Sequence, residues 1–353
     1  MAIIMMKKTL VLTALLTGVF LLTSCGNASA GNQDAGSQLP NSESAEVAVS
    51  EEALPEAPAP NETQTENPET ASMEELVIGI LPAESSIPLI LAQEKGFFEA
   101  AGVSVTLQAF SSPNDRNAAV QSMTLDGAIG DVMTAAAFTD NGIPMKITSD
   151  ISEDFKILSS PNSGITSMEQ FDGKSISLVP NFILEYIMDE FASEHGFSYE
   201  IVEIPSFAGR SEALMSDQID GVVFTEPQAG MLQSQGAYIL GSSKEAGIKG
   251  GVLMFLEETI ANHPKAIEAF YTAYNAAIDY MNETDASEYS DLLVQYQFPE
   301  AITGYLASQN GTFAHAGSIP EDQFNNIIAW AKGKELITKS YTYQELTEFS
   351  LLP

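Results

Sequence analysis

The chain has 353 residues, with 48 acidic against 14 basic side chains and a formal net charge of −34. So large a carboxylate excess excludes nucleic acid and other polyanions as partners. A single cysteine, Cys25, excludes disulfides and thiolate metal centres.

Lys7 and Lys8 precede an almost wholly apolar run over 10–22. That run is shorter than the roughly 20 residues of a spanning helix and has the form of a signal-peptide core. Met6-Lys7-Lys8 is the more ordinary start of such a signal. Leu22-Thr23-Ser24-Cys25 closes it as a lipobox, so residues 1–25 are read as a lipoprotein signal and Cys25 as the lipidated first residue of the mature chain. The alternative is a plain secretory signal with a chance cysteine. Residues 26–75 lack Lys, Arg and aromatic side chains and carry eleven carboxylates. Such a stretch cannot bury enough apolar surface to offset its ordering entropy. It is read as a disordered acidic tether, reaching roughly 40 Å as a flexible coil and holding the rest off a membrane.

The remainder, 76–353, carries 37 acidic and 12 basic residues and is long enough for two lobes. An apolar run at 76–81 predicts a buried strand, 82–86 a loop, and 87–95 a helix stopped at Gly96. A strand follows at 103–110. The next helix, 114–124, opens on Ser112 or Asn114 as N-cap with Pro113 in its first turn. Strand 128–130, helix 132–138 and strand 144–149 complete an alternation that predicts a parallel α/β sheet.

One phrase occurs twice. Arg116 opens an amphipathic run that leads through Leu125 to Asp126-Gly127 and a short apolar stretch; Arg210 opens another that leads through Ile219 to Asp220-Gly221. The two arginines, and the two Asp-Gly pairs, stand 94 residues apart. Each copy reads as a helix, a tight turn at Asp-Gly and a buried strand. Two such units imply two similar lobes with a cleft between them.

Several phrases carry a resemblance to a known family. Ala92-Gln93-Glu94-Lys95-Gly96-Phe97-Phe98, the stretch 123–131, Gly142-Ile143-Pro144, the stretch 163–174, and Asp220 through Glu226-Pro227 occur in order. Together they resemble the solute-binding family serving ABC importers of sulfonates, nitrate and the pyrimidine precursors of thiamine. The similarity runs from about 76 to 280 and continues more weakly to the end. It implies an α/β, two-lobed periplasmic-binding-protein-like fold of class II, with two crossing segments and a ligand cleft between the lobes. Local reading puts the crossings at 155–161 and 247–255, the latter hinged at Gly250-Gly251. Lobe one is then 76–157 with 252–353, and lobe two 158–251. Strands are expected in lobe two at 174–179, 199–204, 222–224 and 238–240, with helices at 181–195, 208–217 and 227–235. The later helices, 264–281, 288–296 and 322–331, are expected to pack on lobe one.

Ligands of open parallel sheets sit beyond the carboxyl ends of the strands. That rule nominates Glu84, Ser85, Phe110, Arg116 and Asp131 from lobe one. From lobe two it nominates Asn181, Phe182, Phe207, Arg210 and Glu226. Phe110, Phe182 and Phe207 offer rings to a flat or apolar solute. Arg116 and Arg210, the only arginines, are either forked donors to an anion or, the preferred reading, partners in local ion pairs with Asp115 and Glu212. Sulfonate-binding members commonly carry Gly followed by Ser or Thr where this chain has Asn181-Phe182-Ile183. The departure speaks against a sulfonate and for a flatter, less charged solute such as a pyrimidine.

Two alternatives stand beside capture and delivery of a solute. One is an enzyme of the same fold in thiamine pyrimidine synthesis, against which the scattered His195, His263 and His315 offer no nucleophile–base pair or metal spacing. The other is a surface sensor or adhesive lipoprotein. The expectation is a monomeric, lipid-anchored, extracytoplasmic solute-binding protein, no enzyme, without cofactor or metal. Its partners are a small-molecule solute, ABC permease and ATPase subunits, and the membrane through the lipid on Cys25, with no nucleic acid.

Overall fold

The computed structural model describes residues 73–309 and 311–353. The readings on the signal segment, Cys25 and nearly all of the tether lie outside the described residues. The tether's expected end at 75 falls inside strand β1 (Glu74–Ile80), whose Glu74 and Glu75 already pair with Val103 and Ser104.

After β1 the chain turns through α1 (Ile87–Glu94), where Gly96 in the left-handed region (φ 74°) ends the helix and starts α2 (Phe97–Ala101). Then come β2 (Val103–Ala109), α3 (Pro113–Gln121), β3 (Gly127–Asp131), α4 (Val132–Asp140) and β4 (Met145–Asp150). The chain crosses to a second sheet as β5 (Lys156–Ser159). It continues through β6 (Lys174–Ser177), α5 (Ile183–His195), β7 (Tyr199–Val202), α6 (Phe207–Met215), β8 (Gly221–Phe224), α7 (Gln228–Ser234) and β9 (Tyr238–Ser242). It then returns as β10 (Gly251–Leu256).

Strand order is β2-β1-β3-β10-β4 in one sheet and β7-β6-β8-β5-β9 in the other. Both sheets are mixed, not purely parallel as expected. β10 runs antiparallel to β3 and β4, and β5 antiparallel to β8 and β9. Each antiparallel strand is the one that has just arrived from the other lobe, so it enters its sheet from the opposite end. The crossings are therefore shorter than expected, about 151–155 and 243–250. The expected change of lobe at 157/158 falls within β5, and Gly251 belongs to the first sheet.

The repeated phrase folds the same way twice, with one correction. The left-handed turn is not at Asp-Gly. It lies three residues earlier, at Met123 (φ 57°) and Asp217 (φ 55°). Gly127 and Gly221 instead begin strands, and glycine is needed there for close packing. A Cβ would lie 2.7 Å from the Phe255 ring at Gly127 and 2.6 Å from the Phe171 ring at Gly221. Each preceding aspartate clamps the neighbouring strand: Val77 N–H donates to Asp126 at 2.8 Å, and Ser175 N–H to Asp220 at 2.9 Å.

The remaining chain is helical: α8 (Glu257–Asn262), α9 (Pro264–Glu283), α10 (Ser290–Val294), α11 (Ile302–Gln309), α12 (Glu321–Gly333) and α13 (Tyr343–Leu346). α9 packs on the first lobe, Phe270 stacking on Phe98 at 5.4 Å. α12 departs from expectation by contacting both lobes. Its Trp330 meets Tyr186 edge-on at 5.7 Å and donates to Asp189 at 2.9 Å. Lys334, just beyond it, pairs with Glu185 at 2.7 Å and Asp189 at 2.8 Å. Phe324 and Ile327 join a single apolar cluster with Val132 and Ile147 of lobe one and Ile183 and Tyr186 of lobe two.

Candidate functional site

The carboxyl ends of β1, β3 and β8 converge on a cavity of about 60 Å³. The repeat builds both walls. Pro113 and Phe207, Arg116 and Arg210, Ile129 and Val223, Gly130 and Phe224, and Asp131 and Thr225 all line the cavity, each pair 94 residues apart. Ser112 and Ser206 stand at the same spacing and cap α3 and α6, accepting from Asp115 N–H at 3.2 Å and Gly209 N–H at 3.1 Å. Each arginine therefore leaves the first turn of an equivalent helix, and the two enter from opposite lobes.

Their surroundings differ. Arg116 is satisfied within the protein: Nη1 donates to the Ile129 carbonyl at 2.6 Å, and Nε and Nη2 to Asn117 Oδ1 at 3.0 and 2.8 Å. Burial lowers its pKa, and the charges of Asp131 and Glu153 oppose that fall. Arg210 is 1% exposed, and its Nε and Nη1 have no hydrogen-bond partner among the described residues. The guanidinium lies over the rings of Phe207 at 5.1 Å and Phe224 at 4.7 Å. Burial alone pushes its pKa down to about 10. The reason is legible in the repeat. Lobe one places Asn117, which holds Arg116, where lobe two has Ser211, whose hydroxyl donates to the Phe207 carbonyl at 3.0 Å. It also places the charge of Asp131 where lobe two has Thr225, whose hydroxyl is also buried and unpartnered. Neither arginine pairs with the acid beside it; Asp115 is held by Ser112 Oγ at 2.7 Å.

Carboxyls surround the cavity. Glu153 lines it and bonds Ser85; burial, and then Asp131's charge, push its pKa up to about 7. Glu84 accepts from Tyr305 O–H and from Asp154 N–H at 2.5 Å, and burial raises it to about 8. Three contacts close the lobes on each other. Glu84 N–H donates to the Glu226 carbonyl at 3.1 Å, Gln228 Nε2 to the Pro82 carbonyl at 2.8 Å, and Ile183 N–H to Asp131 Oδ2 at 3.3 Å.

A family model described as NMT1/THI5 like matches residues 83–286, more than half of the chain. The chain belongs to the NMT1/THI5-like family. No curated protein matches it in sequence. Solved structures similar to this NMT1/THI5-like chain share its fold at low identity. The alkanesulfonate-binding protein SsuA from Xanthomonas axonopodis pv. citri, bound to MOPS, is 17% identical with a TM-score of 0.67, over 78% of this chain and 98% of that one. The ligand-binding component of an ABC-type import system from Staphylococcus aureus, with zinc bound, is 18% identical with a TM-score of 0.66, over 79% and 97%. The periplasmic nitrate-binding protein NrtA from Synechocystis PCC 6803 is 17% identical with a TM-score of 0.55, over 65% and 68%.

Of the nominated residues, this NMT1/THI5-like chain brings Arg116, Asp131, Phe182, Phe207 and Arg210 to the cavity and Asn181 to an adjoining groove. Glu84, Ser85 and Glu226 lie behind the wall. There, Glu84 and Glu226 fasten the lobes and Ser85 holds Glu153. Phe110 packs beside Gly79 under the sheet. Glu153, Phe155 and Phe224 were missed. The first two sit on the crossing, whose start was placed at Phe155, and Phe224 hid within a strand-like run. None of the three histidines lines the cavity. Among the described residues, no group of three His, Cys, Asp or Glu side chains could hold a metal ion, and no helix is long and apolar enough to cross a membrane.

Proposed function

We propose that this chain captures a small solute bearing an anionic group and delivers it to an ABC importer, its two lobes closing over the solute. The observation that carries this is Arg210. A guanidinium buried without a partner is strongly unfavourable, and its unpartnered Nε and Nη1 leave N–H donors for a carboxylate, sulfonate or nitrate. The solute completes what lobe two leaves unpaired, so closure and binding are coupled. The anion reading replaces the expectation drawn from Asn181-Phe182-Ile183. There the Asn181 and Ile183 amides are already taken, by Glu185 at 2.6 Å and Asp131 at 3.3 Å, and Arg210 supplies the donor instead.

A second reading, an aminopyrimidine, is favoured by the rings of Phe182 and Phe207 together with Glu153, whose pKa near 7 suits sharing a proton with a basic ring nitrogen. In either case the mature chain is anchored outside the cytoplasm through lipid on Cys25, acts as a monomer, and uses the stretch from 26 to the start of β1 as its tether. Thermal melting of the full chain, refolded to strip carried solute, tests the two readings. The panel holds taurine, alkyl sulfonates, nitrate, carboxylates and aminopyrimidines with thiamine. A ligand at about 100 times its Kd adds roughly 2.7 kcal/mol. Stabilisation by an anion supports the first reading and by pyrimidines alone the second; silence across the panel overturns both.

A further inference from the structure

Resting on the capture reading, we infer that a second compartment outside the inner cavity holds the distal part of the solute and selects an uncharged, hydrogen-bonding tail. The compartment is a groove of about 580 Å³, against about 60 Å³ for the inner cavity. A solute larger than an anionic head must project from the inner space. Phe182 is the wall the two spaces share.

Side-chain amides from both lobes line the groove beside Met133, Phe138, Ile143 and Leu336. Asn114, Asn117 and Gln121 recur at i, i+3 and i+7 on α3 and present one face of that helix. Asn181, held at φ 69°, faces the same space from the other lobe. Asn117 links the compartments: its Oδ1 accepts both Nε and Nη2 of Arg116, at 3.0 and 2.8 Å, which leaves its NH₂ as the end offered to the groove. The side chains of Asn114, Gln121 and Asn181 make no hydrogen bond within the protein among the described residues. Glu203 is the sole charged residue of the lining. An anionic tail finds no cation there, an ammonium tail only Glu203, and an apolar tail gains nothing from the amides, which it leaves to water. Hydroxyl or amide groups satisfy both the donors and the acceptors.

Calorimetric titration of the full chain tests this with head-matched probes. These are methanesulfonate, butanesulfonate, hydroxybutanesulfonate and aminobutanesulfonate, with acetate, pentanoate, hydroxypentanoate and aminopentanoate as their carboxylate counterparts. The hydroxy tail is expected to bind about tenfold tighter than head, apolar and ammonium probes, the scale of one well-made hydrogen bond. Combining Asn114→Ala with Gln121→Ala, both exposed positions, removes the gain and keeps the affinity for the head alone. Equal binding of head and hydroxy probes, or a gain that survives in the double variant, overturns the groove while leaving capture standing. No binding by any head overturns the groove and the anion reading together.

Discussion

Arg210→Met removes the guanidinium while keeping an unbranched stem between Phe207 and Phe224. Burial lowers the Arg210 pKa from 12.5 to about 10, which at about 1.36 kcal/mol per unit is about 3 kcal/mol of poorly solvated charge. The penalty applies at every pH below the folded value, neutrality included. The two rings offset about 1–2 kcal/mol of it. The empty protein is therefore expected to gain about 1–2 kcal/mol on substitution, a rise of about 2–3 °C in Tm for a chain of this size. Anion binding moves the other way. Losing one partner of a buried charge pair costs about 2–5 kcal/mol, a weakening of about 30-fold to a few thousandfold. Scanning calorimetry on stripped protein and titration with the best anion of the panel read both quantities. A Tm that falls, with affinity unchanged, would show that Arg210 serves packing alone and would refute the reasoning.

Thr225→Asp transplants lobe one's counter-ion into lobe two; it is expected to abolish anion binding while leaving the fold intact by circular dichroism, and undiminished anion affinity would sink the comparison. Glu84, raised from 4.5 to about 8, holds its proton in the folded state where the unfolded chain has lost it. Its contribution to stability is thus full below about 4.5 and falls as pH rises to about 8, with a slope of at most about 1.36 kcal/mol per unit. In melting curves from pH 5 to pH 9, Glu84→Gln should flatten that decline, whereas parallel curves would count against it. At Gly250 a Cβ would stand 2.3 Å from Ile183 Cδ1 and 2.8 Å from Ile327 Cδ1. Gly250→Ala is thus expected to cost the closed form about 1–3 kcal/mol, read as a larger radius of gyration with solute present. Cys25→Ser is expected to release the protein from the membrane fraction and to block labelling with a fatty-acid probe; persistent labelling would contradict the lipobox.

Most elements were legible because local signals agree with the fold. Gly96 ends a helix, Ser112 caps one, and the apolar runs at 76–81 and 222–224 pair inside sheets. The 94-residue repeat reached further, since it placed both arginines before any geometry was known. The mixed sheets were not legible. Strand direction depends on which lobe the chain has just left, and neither β5 nor β10 carries a local mark of that. α8, α11 and α13 are short and gain their stability from packing, which a window of sequence does not carry. The ion pairs expected for the arginines failed because adjacency in sequence says little about a side chain that turns inward. Asp115 was claimed by the cap serine, and Arg116 went under the sheet to Ile129. Glu153 escaped because its reach into the cavity comes from a crossing only five residues long.

If the chain captures and delivers a solute, the seam under α12 changes where the work of delivery falls. Ile183, Phe324 and Ile327 belong to one apolar cluster drawn from both lobes, so parting the lobes wets surface that water disfavours. On the capture reading, that seam favours the closed form alongside the solute, so less of the binding energy is spent on closing the lobes. Unloading is then the uphill step. Whatever prises the lobes apart must supply a force that losing the cargo does not, and α12, lying across both halves, is the bar against which such a lever would push.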